Sequence, residues 1–150
     1  MELSYLDVGL RLGAAALVGG VIGINRDLAD KPIGVRTLGL VALGAAVVSV
    51  ATIQVSGMAE NPDAMSRVVQ GIIQGVMAGI SFIGAGVILR NPAAQTVEGL
   101  TTAATVWVAA ALGIACGLAA WNVVLIGSVL ALILLVMVVW IEALLARIRK

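Results

Sequence analysis

The sequence predicts an all-α polytopic membrane protein: five transmembrane helices in a small bundle, with the N-terminus outside and the C-terminus cytoplasmic. Three observations carry that prediction. The chain is 61% hydrophobic and only 11% charged, with a mean hydropathy of +1.14, whereas roughly a quarter of the residues in a soluble domain carry charge. Residues 37–59, 68–89 and 99–141 contain no Asp, Glu, Lys or Arg, and a helix needs roughly 20 apolar residues to cross about 30 Å of hydrocarbon. Basic residues, finally, divide unequally between the two sides that five crossings create. Arg26, Lys31, Arg36, Arg90, Arg147, Arg149 and Lys150 collect on one side, and only Arg11 and Arg67 on the other. Cytoplasmic loops are enriched in Lys and Arg, which sets the orientation.

The expected spans are 5–24, 37–56, 68–89, 101–119 and 122–142. The 43 residues of 99–141 are too many for one crossing. They suit two helices with a tight turn marked by Gly113, Cys116, Gly117, Trp121 and Asn122. Five spans leave no room for a soluble domain. The start does not read as a cleavable signal, because Glu2 and Asp7 precede the apolar run where a signal peptide is basic. The net charge of +1 gives no reason to expect nucleic acid. One cysteine and no histidine exclude a disulfide framework and a zinc site of the Cys/His type. No metal and no cofactor are expected.

In the first span Asp7, Arg11, Ala15, Gly19 and Gly23 recur every four residues and share one helix face. Asp7 and Arg11 are spaced for an intrahelical pair. An ionisable residue inside a span is a functional candidate; the plainer alternative is that Arg11 snorkels to the headgroups beside Asp7. The loop Arg26–Arg36 holds five charges around Pro32 and Gly34 and reads as a turn. Its cations either hold an anionic headgroup or phosphate, aided by the second helix's N-terminus, or, more plainly, anchor the chain. The second span gathers Ala42, Ala45, Ala46 and Ser49 on one side, and a polar loop with Asn61-Pro62 follows. Glu60 and Asp63 there do not make a site for a hard cation, which needs several convergent oxygens.

The third span carries Gly71, Gly75 and Gly79, then Ser81, Gly84, Ala85 and Gly86. Lipid provides no hydrophobic drive between helices, so close approach through small residues becomes the main packing device. Gly84-Ala-Gly86 is also a place for the helix to loosen, and Asn91-Pro92 stops it. The fourth span repeats the spacing with Thr101, Thr105, Ala109, Gly113 and Gly117. The simplest arrangement packs these two smooth faces against each other as antiparallel neighbours. The fifth span, rich in Leu, Val and Ile, suits lipid or a bulky dimer contact, with Trp121 and Trp140 as interfacial anchors.

The stretches Gly23-Ile-Asn-Arg26, Gly34-Val-Arg-Thr-Leu38, Val41-Ala-Leu-Gly-Ala45, Ser81-Phe-Ile-Gly-Ala-Gly-Val-Ile88, Glu98-Gly-Leu-Thr-Thr-Ala-Ala-Thr-Val-Trp107 and Ala111-Leu-Gly-Ile-Ala-Cys-Gly117 resemble the MgtC/SapB family of bacterial inner-membrane proteins. They cover the first four spans in the family's order. The resemblance implies five spans and a cytoplasmic C-terminus in a single transmembrane domain over 1–150. It also implies a link to growth at low magnesium, virulence and intracellular survival. Family members are taken to modulate other membrane systems, the F-type ATP synthase among them, without carrying magnesium themselves. Three positions depart from the family pattern: Asn25 stands where Glu is common, Glu98 where Arg is common, and Thr101 where the virulence branch has Asn. The first two exchanges suggest that Glu98 becomes the acidic partner of Arg26, Arg36 or Arg90 in a cytoplasmic charge cluster. Longer relatives add a cytoplasmic regulatory domain after the fifth span, and functions resting on it are not expected here.

Three function classes compete. The favoured one is a non-catalytic membrane module that binds and modulates a partner. The alternative is a small oligomeric ion or solute transporter or channel, using Arg11 or the Arg90/Glu98 region with Gln70, Gln74, Ser81, Thr101 or Thr105 as polar lining. An enzyme fits least, since Cys116 has no evident base and no paired carboxylates lie within a span. Cys116 reads as a small packing residue, and the threonines as bonded back to their own helix. Membrane lipid is an expected partner, and self-association into a closed two-fold dimer is the commonest outcome for such a bundle.

Overall fold

A computed structural model describes residues 3–54, 62–91 and 96–148, with side chains given for all of these but 62, 89–91 and 138–148. The element order is α1 (Tyr5–Leu28), α2 (Val35–Ile53), α3 (Pro62–Gly86), β1 (Leu89–Asn91), β2 (Thr96–Glu98), α4 (Leu100–Gly117) and α5 (Trp121–Ile148). Four helices, α1 to α4, are long and apolar enough to cross a membrane; α5 is apolar over Trp121–Met137.

The first two helices form a hairpin whose geometry is written into its small residues. A Cβ added at Gly19 would lie 2.4 Å from the Leu38 carbonyl oxygen, and one at Gly23 would lie 2.5 Å from the Val35 Cα. Both distances are far inside van der Waals contact, so only glycine lets α1 and α2 approach this closely. The connection is equally specific. Gly34 is the N-cap of α2 and has no side chain to cap with, and Asp27 Oδ2 takes the Val35 N–H at 3.1 Å instead. Ile33, just before the cap, and Leu38, four residues into the helix, are both buried in one cluster with Ile22 and Val106. That pairing is a hydrophobic staple, which fixes the angle at which the chain enters the helix.

The fourth helix occupies the centre. Of its most apolar 18 residues 61% are buried, against 17–33% for α1, α2 and α3. Its small face packs on α2, not on α3 as the two smooth stripes suggest from sequence. A Cβ at Gly113 would meet the Ala42 carbonyl oxygen at 2.2 Å, and one at Gly117 would meet Ser49 Cβ at 2.6 Å. The third helix presents a different row inward. Ile72 is buried, Val76, Met77 and Ile80 pack on Ala45, Ala110 and Ile114, and Gly84 lies in ordinary contact with Ala103. Burying those larger side chains removes more apolar area from lipid or water than burying glycine would. A Cβ added at Gly71, Gly75, Gly79 or Gly86 would consequently meet nothing of another element within 4 Å. Gly75 and Gly79 instead floor a groove of about 520 Å³ between α2 and α3, opposite Gly44 and Val48.

The connections differ from the expected ones in three places. The third helix begins at Pro62, in the first helical position where proline is preformed for φ, and it ends at Gly86 instead of running to 89. Residues 55–61, with Glu60 and Asn61, lie outside the described residues. Between α3 and α4 the chain forms a two-stranded antiparallel ribbon with Leu89 opposite Glu98, Arg90 opposite Val97 and Asn91 opposite Thr96. Three-residue strands are too short to carry a period-2 signal in the sequence. Gly99, at φ 88°, then turns into α4, where any Cβ would lie 1.9 Å from the Val87 carbonyl oxygen. Finally, Gly113, Cys116 and Gly117 do not form the α4–α5 turn; they belong to α4. The turn is Leu118–Ala120. Ala119, at φ 56°, donates to the Cys116 carbonyl and Ala120 to the Ala115 carbonyl, the paired bonds of a Schellman motif.

Candidate functional site

Charged and polar groups concentrate at two levels of the bundle. At the end where α1 meets α2 and the ribbon meets α4, Arg26 is held in the last turn of α1. It lies on the inward face, three residues beyond Gly23, and is only 4% exposed. One terminal guanidinium nitrogen, Nη2, donates to the hydroxyl of Thr102, and Nε is buried without an acceptor among the described residues. Thr102 is itself 3% exposed and sits in the first turn of α4.

The remaining members of the expected charge cluster are placed differently. Arg36 and Glu98 are exposed, and among the described residues Glu98 forms an ion pair with neither Arg36 nor Arg26. The ribbon sets Glu98 opposite Leu89, so Arg90 is not its cross-strand partner; the Arg90 side chain lies outside the described residues, as do Arg147, Arg149 and Lys150. The expected exchange, with Glu98 as the acid for Arg26 or Arg36, is therefore not the arrangement found. Its physical reason is the chain path. Glu98 ends an exposed strand, whereas Arg26 lies beneath the first turn of α4 and meets a hydroxyl one turn further on.

At the opposite end Asp7 and Arg11 also part company. Asp7 is exposed and accepts the Ser4 hydroxyl at 2.8 Å, while its N–H donates to Ser4 Oγ as the N-cap bond of α1. Arg11 Nη1 donates instead to the carbonyl oxygen of Gly117 at 2.8 Å. Gly117 ends α4, and its carbonyl is one of those a helix leaves without an internal partner.

Of the other polar candidates, Gln74 and Thr101 are exposed. Thr105 is buried and donates to the Thr101 carbonyl at 2.7 Å, Ser49 to the Ala45 carbonyl and Ser81 to the Met77 carbonyl, both at 2.8 Å. These hydroxyls are spent on their own helices. Two residues matter that the sequence reading did not single out, Asp27 and Thr102. Asp27 looked like one charge among five in a loop, and nothing in its spacing marks a cap for the next helix. Thr102 was hidden by the four-residue stripe of its neighbours Thr101 and Thr105. Among the described residues no cluster of three His, Cys, Asp or Glu side chains could hold a metal ion.

The comparisons with known proteins agree on one family. Residues 12–144 match the profile of the MgtC family. Protein SrpB of Synechococcus elongatus is 42% identical over 137 residues, covering 87% of this chain and 74% of its own length. Protein MgtC of Salmonella typhimurium is 40% identical over 123 residues, covering 82% of this chain and 48% of its own. Protein SapB of Bacillus subtilis is 37% identical over 114 residues, covering 74% and 47%. The chain thus spans about three quarters of SrpB and about half of MgtC and SapB. No solved structure matches. With apolar helices able to span a membrane several times and a family match over most of its length, this chain is a multi-pass membrane protein that belongs to the MgtC family.

Proposed function

We propose that this protein is a non-catalytic component of the bacterial inner membrane that modulates another membrane system during adaptation to low magnesium. Five crossings, an outer N-terminus and a cytoplasmic C-terminus complete the reading, supported by the distribution of basic residues. The F-type ATP synthase is the partner that the family resemblance suggests, and a role in virulence and intracellular survival follows from the same resemblance.

The observation that carries this reading is how the buried hydroxyls are used. Ser49 and Thr105 bond back to helix carbonyls, and Thr102 accepts from Arg26. A conducting path needs a continuous row of polar groups free to replace an ion's water; among the described residues only Arg26 Nε and Ser128 Oγ are buried without a partner, and the buried side chains are mostly Ala, Val, Ile and Leu. Self-association as a two-fold dimer fits a bundle whose third helix leaves its glycine row uncovered.

The test is a pair of measurements. Liposomes containing only this protein should show no protein-dependent magnesium flux, while deletion of the gene should slow growth when magnesium is scarce. A specific flux abolished by substitutions at Arg11 or Arg26 overturns the proposal in favour of a transporter.

A further inference from the structure

Arg26 is a cation that the surrounding residues leave unbalanced. It is 4% exposed, it has no carboxylate partner among the described residues, and its Nε is buried without an acceptor. Burying an unpaired charge is expensive, and natural proteins pair such groups. The group it does reach makes the imbalance larger. Thr102 lies in the first turn of α4, where Gly99 supplies no capping side chain and no acid is present. The N–H groups of Leu100 and Thr101 have no acceptor among the described residues. A helix N-terminus carries roughly half a positive charge, so a guanidinium has been brought to the positive end of a helix.

The second helix starts close to the same level. Gly23, one turn before Arg26 on the same face, packs directly on Gly34 and Val35 at the start of α2. That first turn also lacks an acid, and its glycine N-cap has no side chain. Asp27 takes only the Val35 N–H. At the first turn of α4 a buried arginine and unfilled N–H donors thus come together with no carboxylate bonded to either among the described residues, whereas the α2 N-terminus has Asp27 as its own acid.

The chemistry that fits is an oxyanion with several acceptor oxygens. Nε and Nη2 form one edge of the guanidinium, the edge that takes two oxygens of a phosphate or carboxylate at once. Because the Thr102 oxygen already accepts from Arg26, its hydroxyl proton is available to donate outward. Helix N-terminal N–H groups are ready-made phosphate ligands. We propose that Arg26, Thr102 and the first turn of α4 bind the phosphate group of a ligand at this end of the bundle. The phosphate belongs either to a phospholipid headgroup or to a soluble solute. Both reach this level, since the apolar run of α1 ends at Ile24 and the exposed Lys31 follows directly, its N–H donating to the Arg26 carbonyl.

The test uses the full-length protein, delipidated in a neutral detergent, with its thermal unfolding followed as ligand is added. One arm adds inorganic phosphate against chloride at equal ionic strength. The other dopes the micelles with phosphatidylglycerol, against diacylglycerol, which has no phosphate. A saturable rise in Tm with inorganic phosphate identifies a soluble ligand class, and a rise confined to phosphatidylglycerol identifies a headgroup. In either case Arg26→Gln should weaken the midpoint roughly tenfold or more, the loss expected for one bidentate charged contact. If that variant does not fold, Thr102→Val decides, since it keeps the guanidinium and should still weaken the midpoint by about threefold. Arg36→Gln, at the exposed rim, should leave the midpoint within about twofold. The proposal fails if neither probe stabilises the protein saturably, or if the folded Arg26 and Thr102 variants respond like the wild type. It fails equally if Arg36→Gln loses as much as Arg26→Gln, which marks diffuse surface attraction.

Discussion

Arg11 of α1 donates to the carbonyl oxygen of Gly117, 106 residues away, and so closes the C-terminal end of the central helix. The Schellman bonds of Ala119 and Ala120 and the Leu118 N–H occupy the carbonyls of Cys116, Ala115 and Ile114. Arg11 takes the one that remains, and its charge sits at the negative end of the helix dipole, where cations are favoured. The side chain that reads as snorkelling is a cap supplied by another helix.

Replacing Arg11 by Leu should therefore cost about 1–3 kcal/mol, the usual range for stranding a half-buried polar group. Arg11→Lys should recover part of that loss. Asp7→Asn should be close to neutral, because Asp7 pairs with Ser4 and not with Arg11. Thermal unfolding of the three variants in detergent measures the ranking; equal losses for Asp7→Asn and Arg11→Leu would restore the intrahelical pair.

The glycines divide into two classes with opposite expected responses. Gly113→Ala places a methyl 2.2 Å from the Ala42 carbonyl oxygen, and overpacking of this kind costs roughly 1–3 kcal/mol or more. Gly75→Ala and Gly79→Ala meet open space and gain helix propensity of up to about 1 kcal/mol each. The two classes are separated by their Tm values. Size-exclusion chromatography of the Gly75 and Gly79 variants reads whether that row also serves self-association, in which case they shift towards monomer.

Among the described residues Asp30, Gly99 and Ala119 adopt the left-handed region, and only one of the three is glycine. Ala119→Gly should stabilise by about 1 kcal/mol by relieving the Cβ strain, whereas Gly99→Ala should destabilise by at least that much, since it adds a clash with the Val87 carbonyl. Denaturant titration of the pair checks the opposite signs.

Asp27→Ala removes the acceptor for the first N–H of α2. A lost N-cap costs about 0.5–2 kcal/mol, and Asp27→Asn, which keeps an acceptor oxygen, should lose less. Hydrogen exchange in the first turn of α2 is the local readout.

Much of this fold is legible in the sequence because lipid punishes charge and rewards small contacts. The uncharged runs locate α2, α3 and α4, and the face Ala15–Gly19–Gly23 is the face that α1 buries. Ala42, Ala45, Ala46 and Ser49 likewise identify the buried side of α2. Which stripe meets which could not be read, because every small-residue row is compatible with every other. The α4 stripe packs on α2, while Ile72, Val76 and Ile80 face inward and Gly71, Gly75 and Gly79 face outward. The site was harder still. Arg26 was visible as a charge, but its depth depends on the packing of Gly23 against Val35, a contact between residues in different helices. Asp27 and Thr102 act through partners eight and seventy-six residues away, beyond any local pattern.

The burial of α4 bears on how the protein is made. The helix that ends up central emerges from the ribosome after α1, α2 and α3, and its small Ala, Gly and Thr residues favour close helix contact. Its seat is built beforehand, since α1 and α2 close on each other through Gly19 and Gly23 and offer Ala42, Ala46 and Ser49 as a track. Assembly is then ordered in time. A defect in the early hairpin, such as bulk at Gly19, should appear as a failure of α4 to dock and as rapid degradation of the newly made chain, before any question of function arises.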